Sequence, residues 1–406
     1  VISTARTTPI TTSNATGSGP DAVRITTGGN ISVTSGAAVT VDSNHNFTID
    51  GTGSLTMLKS DSGSVAVLVN PGVTSNITIA GGIAITDTID EYPDTDNDGD
   101  LDGPWATGTG RYGLRLAPGA PVTGNIDIQG GANGTGGAIT VDGNESYAVS
   151  IESGLIGNLQ NTGILRVLGD NSVALRTTGD ITGNVTLLGQ VFARGENTSA
   201  ISIGGDVGGR LTLQGDISAS GYRYTSRGND GFEAGLDADD KLQGGPAVII
   251  SGNVAGGVVV DKPPVASTTN SDVDGDGITD SAETSGQINS YGQAPAILVG
   301  SDTQSITLGV IGADDDAFGF INRGVVNGQG VYDGINANAI VFGGGAGQSV
   351  TLDGGFRNQG TIAALAIKAD ATAVRFGAGA DAAQILNSGA ITAGVSSDVV
   401  TQGTAI

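Results

Sequence analysis

The sequence predicts an all-β fold, a single elongated β-solenoid (parallel β-helix) with roughly 26 residues per coil. Three observations predict this fold class. The chain repeats itself with a period of 26, apolar and polar residues alternate inside each repeat, and glycines recur at the positions where the alternating runs end. A fixed period in the twenties is typical of stacked one-dimensional units, each of which needs its neighbours to complete its core.

The repeat is clearest between Ala148 and Tyr222. Apolar residues recur there at a spacing of 26, and glycines recur at the same spacing. The apolar sets are Ala148/Ala174/Ala200, Val149/Leu175/Ile201, Leu155/Ile181/Val207, Leu159/Val185/Leu211 and Leu165/Val191/Ile217, and the glycine sets are Gly157/Gly183/Gly209, Gly163/Gly189/Gly215 and Gly169/Gly195/Gly221. We expect the members of one set to stack at the strand spacing of about 4.8 Å along the axis of the rod.

The alternation inside one coil identifies its strands. From Ala200 to Ile217, apolar and polar residues alternate in runs of three to five, and glycine ends each run. Alternation is the period of a strand, and glycine permits corner conformations that β-branched residues do not adopt. A helix is excluded because a glycine falls every few residues, and each costs about 1 kcal/mol in a helix. Each coil is therefore predicted to hold three short strands.

The coil template extends along most of the chain. Its start, a small residue followed by an aliphatic one, recurs at Ala22-Val23, Ala66-Val67, Gly113-Leu114, Ala247-Val248, Ala296-Ile297, Ala339-Ile340 and Ala373-Val374. The longer spacings indicate acidic inserts at coil corners near residues 88–110, 221–244, 261–285 and 313–335. About twelve coils remain, which predicts a rod about 60 Å long. Residues 22–406 form the predicted solenoid, and the Thr/Ser-rich residues 1–21 are expected to be an N-terminal lead or cap.

The composition limits the possible functions. The 406 residues include no Cys, which excludes disulfides, thiol nucleophiles and thiolate metal sites. The formal net charge is −24 with only 17 Lys and Arg, so divalent cations are expected partners, whereas nucleic acids and anionic membranes are not. No apolar run reaches the length of about 18 residues that a membrane-spanning helix needs. Because the chain opens at Val1 and ends in repeat-like sequence, we expect it to be a segment of a longer protein.

Residues 272–283 carry the spacing of a twelve-residue calcium loop. Oxygen-bearing side chains fall at positions 1, 3, 5, 9 and 12, and Gly277 occupies position 6, where the loop turns sharply. Calcium needs six to eight oxygen ligands, and alternate carboxylates on a tight loop converge on one point. The predicted ligands are Asp272, Asp274, Asp276, Ile278 through its backbone carbonyl, Asp280 and Glu283.

Residues 94–102 carry a second, incomplete version of the same spacing. The predicted ligands are Asp94, Asp96, Asp98, Asp100 and Asp102. Position 12 is Trp105, which has no ligand oxygen in its side chain, so Asp90, Glu91 or a neighbouring coil must supply the missing oxygens. Helical periodicity flanks neither loop. Both loops therefore resemble the calcium loops of dockerins and thrombospondin type 3 repeats more than paired sensor EF-hands.

Three other features of the inserts favour structural interpretations. The acidic runs 237–240 and 314–316 lack the glycine and the alternation of a calcium loop, so solvated loops are the expectation, although either run is available to complete a site between coils. The third feature is a cluster of aromatic and basic residues in one insert, Tyr222, Arg223, Tyr224, Arg227 and Phe232. They predict either a contact surface for sugar or protein, or packing of the insert onto the rod, and packing is favoured.

No catalytic residue is predicted. His45 is the single histidine and lies in a polar stretch without a catalytic partner nearby. Polysaccharide lyases and hydrolases with solenoid folds use carboxylates in a groove along the rod. Asp180 and Asp206 are such a pair by their spacing of 26, but they occupy a turn position where Asp commonly caps backbone amides.

A short Asn-x-Gly-x-aliphatic element recurs at four corners, Asn161 to Leu165, Asn322 to Val326, Asn358 to Ile362 and Asn387 to Ile391. Together with the cysteine-free, acidic coils rich in Gly, Thr and Asn, this element resembles the β-helical passenger region of Gram-negative autotransporters, the type V secreted surface proteins. The resemblance covers nearly the whole chain. It implies secretion across the outer membrane followed by display at the bacterial cell surface or release, and most such passengers are adhesins, self-associating proteins or protective coats.

These observations lead to one function hypothesis and one alternative. The chain is predicted to be a non-enzymatic, calcium-binding extracellular rod for cell-surface coating, self-association or adhesion. Its predicted partners are Ca²⁺ and either other copies of itself or a cell-surface or glycan partner. Extracellular calcium modules bind with dissociation constants of about 10⁻⁴ to 10⁻³ M. The alternative is a carbohydrate-active β-helix, either a polysaccharide lyase or hydrolase or a tailspike-like glycan binder. Aromatic and carboxylate side chains along one outer face would favour the alternative.

Overall fold

The computed structural model describes residues 1–89, 94, 97, 102–130, 136–265, 267–273, 279–281, 283–396 and 403–406. Over these residues the regular secondary structure is almost entirely short parallel strands that stack into long sheets, which confirms the predicted β-solenoid.

The strands of the first half of the chain are β1 Ala5–Arg6, β2 Ile10–Thr11, β3 Val23–Ile25, β4 Asn30–Ser32, β5 Ala37–Val41, β6 Phe47–Ile49, β7 Ser54–Met57, β8 Val65–Val69, β9 Ile77–Ile79, β10 Gly82–Ile85, β11 Tyr112–Leu116, β12 Val122–Thr123, β13 Ile126–Ile128, β14 Ala138–Asp142, β15 Tyr147–Ile151, β16 Leu155–Ile156, β17 Leu159–Asn161, β18 Ile164–Leu168, β19 Val173–Thr177 and β20 Val185–Leu187.

The strands of the second half are β21 Gln190–Arg194, β22 Ser199–Ile203, β23 Leu211–Leu213, β24 Asp216–Ser220, β25 Val248–Ile250, β26 Val258–Val260, β27 Gln287–Tyr291, β28 Ile297–Val299, β29 Ile306–Leu308, β30 Phe320–Asn322, β31 Val325–Asp333, β32 Ala337–Phe342, β33 Val350–Leu352, β34 Phe356–Asn358, β35 Thr361–Ile367, β36 Ala371–Phe376, β37 Ala380–Ala382, β38 Ile385–Asn387, β39 Ala390–Ser396 and β40 Gly403–Thr404. The described helical segments are the α-helix α1, Asp230–Gly235, and the 3-10 turns Thr12–Asn14 and Asp314–Asp316.

Three long parallel sheets make up the walls of the solenoid. Sheet 1 runs β1-β4-β7-β10-β14-β18-β21-β24-β27-β31-β35-β39, sheet 2 runs β2-β5-β8-β11-β15-β19-β22-β25-β28-β32-β36-β40, and sheet 3 runs β3-β6-β9-β13-β17-β20-β23-β26-β30-β34-β38. Sheets 1 and 2 hold twelve described strands each, in agreement with the predicted number of coils. A narrower ladder between sheets 2 and 3 comprises β12-β16, β29-β33-β37 and a chain of single bridges between them.

The register of the sheets follows the sequence repeat. Val149 pairs with Leu175, and Leu175 pairs with Ile201, so that members of one apolar set stack directly on each other. Leu165 pairs likewise with Val191 in sheet 1. All of these side chains are fully buried in one continuous hydrophobic core that runs the length of the rod. The 26-residue period is therefore the length of one coil, and its apolar positions point inward.

The N-terminal coils depart from the predicted template in one detail. Val23 does not lie in sheet 2 as the template implies; it pairs with Phe47 in sheet 3. The sheet 2 position is taken by Val39, which pairs with Val67. The error arose because a small residue followed by an aliphatic one occurs by chance in so Ala- and Val-rich a chain. Residues 1–21 contain β1 and β2, which extend the ladders of sheets 1 and 2 by one coil.

The Asn-x-Gly element forms the corner between sheets 3 and 1. Asn358 is buried there, its Nδ2 donates to Oδ1 of Asn387 at 2.8 Å, and its Oδ1 accepts a hydrogen bond from Nδ2 of Asn322 at 2.7 Å. Two residues later, a Cβ on Gly360 would lie 2.1 Å from the carbonyl oxygen of Gly324 in the preceding coil. The asparagines therefore form a hydrogen-bonded ladder that is buried at Asn322 and Asn358, and the glycine allows the backbones of successive coils to approach each other.

A buried ion pair closes the base of the insert between β10 and β11. Arg111 and Asp87 have side chains only 1% and 5% exposed, and Nη1 of Arg111 lies 3.3 Å from Oδ1 of Asp87. Asp87 accepts hydrogen bonds from the amides of Thr107 at 2.6 Å and Gly108 at 2.9 Å, and Arg111 donates to the carbonyl oxygen of Asp142 at 2.8 Å. The two ends of the insert are thus held together at the wall of the rod.

Candidate functional site

Two inserts that lie far apart in sequence contact each other at Arg223. Its guanidinium lies over the ring of Trp105, with Cζ 4.7 Å from the ring centroid. Nη2 of Arg223 donates to Oδ2 of Asp239 at 2.8 Å and also to the carbonyl oxygen of Gly103. The amide of Gly103 donates to the same carboxylate oxygen at 3.1 Å. Arg223 therefore joins the end of the 94–102 loop to the insert between β24 and β25.

This contact gathers three carboxylates. Asp102, the last predicted ligand of the 94–102 loop, lies beside Asp237 and Asp239, and ligand oxygens of the three residues are all within 4.8 Å of one another. Asp237 is exposed, whereas the other two are partly buried. Oxygens bound to one calcium ion lie 2.3–2.6 Å from it and hence a few ångströms apart, so this spacing suits a shared hard cation.

The close approach of Asp237 and Asp239 shifts the pKa values of both carboxyl groups. A hydrogen bond to the Asp239 carboxylate raises the pKa of Asp237. Burial opposes ionisation of Asp239, but hydrogen bonds from Asp237, from Arg223 and from the amide of Gly103 outweigh it and lower the pKa of Asp239 to about 2. Two carboxylates at this distance repel each other when both are ionised, and a divalent cation would relieve that repulsion.

The rest of the 94–102 loop is only partly described. Asp94 accepts a hydrogen bond from the amide of Asn97 at 2.6 Å, and Asn97 has a φ of 65°, a conformation that asparagine tolerates better than most residues. Asp96, Asp98 and Asp100 lie outside the described residues. Of the predicted ligands in this loop, only Asp102 is placed with other carboxylates among the residues that the structure describes.

The 272–283 loop is described at its two ends. Asp280 is only 7% exposed, and its Oδ1 accepts a hydrogen bond from the amide of Val273 at 2.9 Å. Its Oδ2 is buried and accepts no hydrogen bond from the described residues. Oε1 of Glu283 accepts a hydrogen bond from Nε2 of the buried Gln214 at 2.8 Å, which ties the end of the loop to the rod. The amide of Asp272 donates to Oδ1 of Asn270.

The remaining predicted ligands of this loop, Asp274, Asp276 and Ile278, lie outside the described residues. Asp272, Asp280 and Glu283 do not form a cluster of three carboxylates within the described part of the chain.

The insert between β24 and β25, which contains the cluster of aromatic and basic residues, packs onto the rod, and this was the favoured prediction. Tyr222 is fully buried and meets Tyr332 edge to face, with ring centroids 4.8 Å apart. Tyr224 meets Phe232 in the same way at 5.1 Å. Arg227 lies 2.7 Å from Glu233. Their packing fixes the insert that carries Asp237 and Asp239.

Asp180, Asp206 and His45, the residues considered for catalysis, form hydrogen bonds within the fold. Oδ1 of Asp180 accepts a hydrogen bond from the amide of Asp206 at 2.9 Å. Oδ1 of Asp206 in turn accepts from the amide of Asn253 at 2.8 Å, so each Asp caps the backbone of the next coil. Nδ1 of His45 lies 3.1 Å from Oγ of Ser43.

A groove of about 540 Å³ lies on the outer face of sheet 1, next to the contact between the two inserts. Strands β18, β21, β24 and β27 form its floor, and Thr225 contributes to its lining from the insert. The side chains that line the floor are Arg166, Phe192, Arg194, Asp216, Ser218, Gln287, Asn289 and Tyr291. Cζ of Arg194 lies 5.6 Å from the ring centroid of Trp105, which connects the groove to the 94–102 loop.

Sequence reasoning missed the residues of this groove and undervalued Asp237 and Asp239. A usable signal existed for the groove, because Arg166, Phe192 and Ser218 follow one another at the 26-residue spacing and therefore stack on the outer face. No comparable signal existed for Asp237 and Asp239, because they lie in an insert to which the repeat does not apply.

Comparison of the chain with models of known protein families, with curated proteins and with solved structures found no match. In the described part of the chain, no helix combines the length and the apolar character needed to cross a membrane.

Proposed function

We propose that this protein is a non-enzymatic, calcium-binding extracellular rod that acts in cell-surface coating, self-association or adhesion. The observation that carries the proposal is the convergence of Asp102, Asp237 and Asp239, whose ligand oxygens lie within 4.8 Å of one another. Asp102 belongs to a loop with calcium-ligand spacing, and the sequence requires that loop to obtain further oxygens from elsewhere in the fold. Asp237 and Asp239 are suitable donors of those oxygens.

A second calcium site is proposed at the 272–283 loop. Two observations support it, the full ligand spacing in the sequence and the environment of Asp280, which occupies position 9 of the loop. Among the described residues, Oδ2 of Asp280 is buried without a hydrogen bond. Burying such an oxygen is costly, and a bound cation would offset that cost. We further propose that calcium orders both inserts by neutralising their carboxylates, and that the ordered inserts supply the contact surface of the rod. The proposed extracellular location rests on the resemblance to autotransporter passengers.

Terbium luminescence tests the first site selectively. Terbium occupies calcium sites and emits when a nearby tryptophan is excited, and Trp105 is the single tryptophan of the chain. We expect sensitised emission that millimolar calcium displaces. Replacing Asp237 with Asn is expected to weaken terbium binding about tenfold, because a charged ligand of a hard cation is lost.

Asp230→Asn is the matched control for this measurement. Asp230 lies in the same insert, its side chain is 93% exposed and pairs with Arg227, and it is not a member of the carboxylate cluster. Its replacement should leave the emission unchanged. Equal terbium affinity in D237N and the wild-type protein would contradict the proposed site. For the second site, equilibrium dialysis should find one calcium fewer per chain in D280N than in the wild-type protein.

The alternative function, a carbohydrate-active β-helix, is favoured by one specific observation. The groove on sheet 1 combines aromatic rings, a carboxylate and two arginines on an outer face of the rod. Aromatic and carboxylate side chains on one outer face are the arrangement expected of a glycan-binding solenoid.

A further inference from the structure

The groove on sheet 1 contains two arginines, Arg166 and Arg194, that form no ion pair with any described residue. The protein has a net charge of −24, and carboxylates pair with many of its cationic groups, such as Arg176 with Glu152 at 2.7 Å and Arg323 with Asp316 at 2.6 Å. Among the described residues, neither Arg166 nor Arg194 forms an ion pair. Two guanidinium groups against the single carboxylate of Asp216 give the lining of the groove an excess of positive charge in an acidic protein.

The two arginines are close neighbours on the sheet. Arg166 on β18 stands opposite Phe192 on β21, and Arg194 is two residues further along β21 on the same face. Their Cα atoms are therefore roughly 8 Å apart, within the combined reach of two long side chains. Burial, followed by the positive charges of Arg166 and Arg223, lowers the pKa of Arg194. Asp142 on β14 interacts with Arg166 electrostatically but forms no ion pair with it.

The other groups in the groove suit a sugar rather than a simple anion. Phe192 and Tyr291 are half-buried, and their exposed ring surface can pack against the apolar C–H face of a sugar ring. Asp216, Ser218 and Asn289 offer acceptors and donors for hydroxyl groups. The four strands of the floor span about 14 Å, the length of roughly three sugar rings.

We propose that this groove binds a saccharide chain that carries carboxylate groups, of the uronic acid type. Arg166 and Arg194 hold a sugar carboxylate through charge-assisted hydrogen bonds, and Phe192 packs against an adjacent ring. Asp216 and Asn289 bind the hydroxyl groups. This assignment goes beyond the calcium-binding rod, since it requires neither bound metal nor self-association.

The test is calorimetric titration with three hexasaccharides, which carry glucuronate, galacturonate or mannuronate. The titrations contain a calcium chelator. Strands of the rod form the floor of the groove, so saccharide binding should not depend on calcium, and the result can be interpreted even if the calcium proposal is wrong. We expect at least one hexasaccharide to bind. We also expect Arg166→Gln and Arg194→Gln each to weaken binding about tenfold or more, as for loss of a hydrogen bond to a charged group. Phe192→Ser should weaken binding several-fold.

The controls separate a sugar site from general attraction of anions. Arg210→Gln removes an arginine on another face that hydrogen-bonds Thr212 at 3.2 Å, and it should bind like the wild-type protein. The carboxyl-reduced form of the bound hexasaccharide should bind at least about tenfold more weakly, since the charged acceptors are lost. Absence of binding to all three hexasaccharides, equal binding of polyglutamate, or full binding by both folded arginine variants would overturn the proposal.

Discussion

At the residue scale, Asp87 and Arg111 form a buried ion pair whose two members depend on each other. Replacing Asp87 with Asn leaves Arg111 buried without its counter-charge. We expect D87N to lower the free energy of unfolding by about 3 kcal/mol, because breaking one side of a buried ion pair strands the other charge. Chemical denaturation followed by circular dichroism measures this change.

The control for Asp87 is an exposed pair on the same rod. Arg24 and Asp50 lie 2.9 Å apart with side chains 59% and 26% exposed. Asp50→Asn should cost less than about 1 kcal/mol, as is usual for surface ion pairs. Similar losses in D50N and D87N would mean that burial of the Asp87 pair contributes nothing.

Asp87 also predicts how stability depends on pH. Burial raises its pKa, but the amide hydrogen bonds from Gly108, Thr107 and Thr88, together with the charge of Arg111, lower it to about 2. The folded state is therefore stabilised while Asp87 is ionised, by about 2 kcal/mol above the ordinary pKa near 4. This contribution is lost as the pH falls through about 2.

The pH prediction is measured as the difference in melting temperature between the wild-type protein and D87N. The gap should be widest above pH 4 and should narrow steadily toward pH 2, where Asp87 becomes protonated in both the folded and the unfolded state. A gap that stays constant between pH 5 and pH 2 would show that ionisation of Asp87 does not stabilise the fold.

The sequence predicts the residues of the core better than it predicts the residues of the candidate site. Val149, Leu175 and Ile201 were predictable as stacked core residues, because a coil of constant length forces equivalent residues into register. The partnership of Asp102 with Asp237 was not predictable, because the inserts have no period and their contact depends on Arg223.

At the element scale, the glycine columns set how closely successive coils approach. A Cβ on Gly189 would lie 2.1 Å from the carbonyl oxygen of Gly163 in the preceding coil, so a side chain there collides with backbone. We expect Gly189→Ala to destabilise the protein by about 2 kcal/mol or more, as overpacking does in well-packed interiors. Denaturant unfolding of the variant measures the loss.

Gly82→Ala is the matched control for Gly189→Ala. A Cβ there meets no atom within 4 Å, and the residue that stacks on it in the next coil is Ala138. Gly82→Ala should be neutral or more stable by up to about 1 kcal/mol, because alanine restricts the unfolded chain. If the Gly82 and Gly189 variants lose equal stability, then close backbone approach is not what requires glycine at position 189.

The strands were predictable as elements and the inserts were not. Alternation with a constant period predicted three strands in each coil, and the structure has them in three long sheets. The helix Asp230–Gly235 escaped prediction because it is short and because it packs against residues distant in sequence, such as Tyr332 near the end of β31. Likewise, strands Phe320–Asn322 and Val325–Asp333 lie within residues 313–335, which the sequence assigned to an insert.

At the scale of the whole molecule, net charge opposes association between copies. A charge of −24 spread along a narrow rod makes two rods repel each other at low ionic strength. Calcium bound to the inserts would lower that repulsion where the carboxylates are densest, as at Asp102, Asp237 and Asp239. Association that requires calcium is therefore the expected behaviour of the proposed rod.

Light scattering on chelator-stripped protein tests this expectation as calcium is titrated to a few millimolar, the range in which extracellular calcium modules bind. Particle mass should rise with calcium, fall again when chelator is added, and rise less in D102N and D237N than in D230N. A mass that stays monomeric while calcium raises the melting temperature would overturn self-association and leave calcium as a stabiliser of single rods. If neither mass nor melting temperature responds, calcium binding itself is wrong, because a cation that binds the folded state must stabilise it.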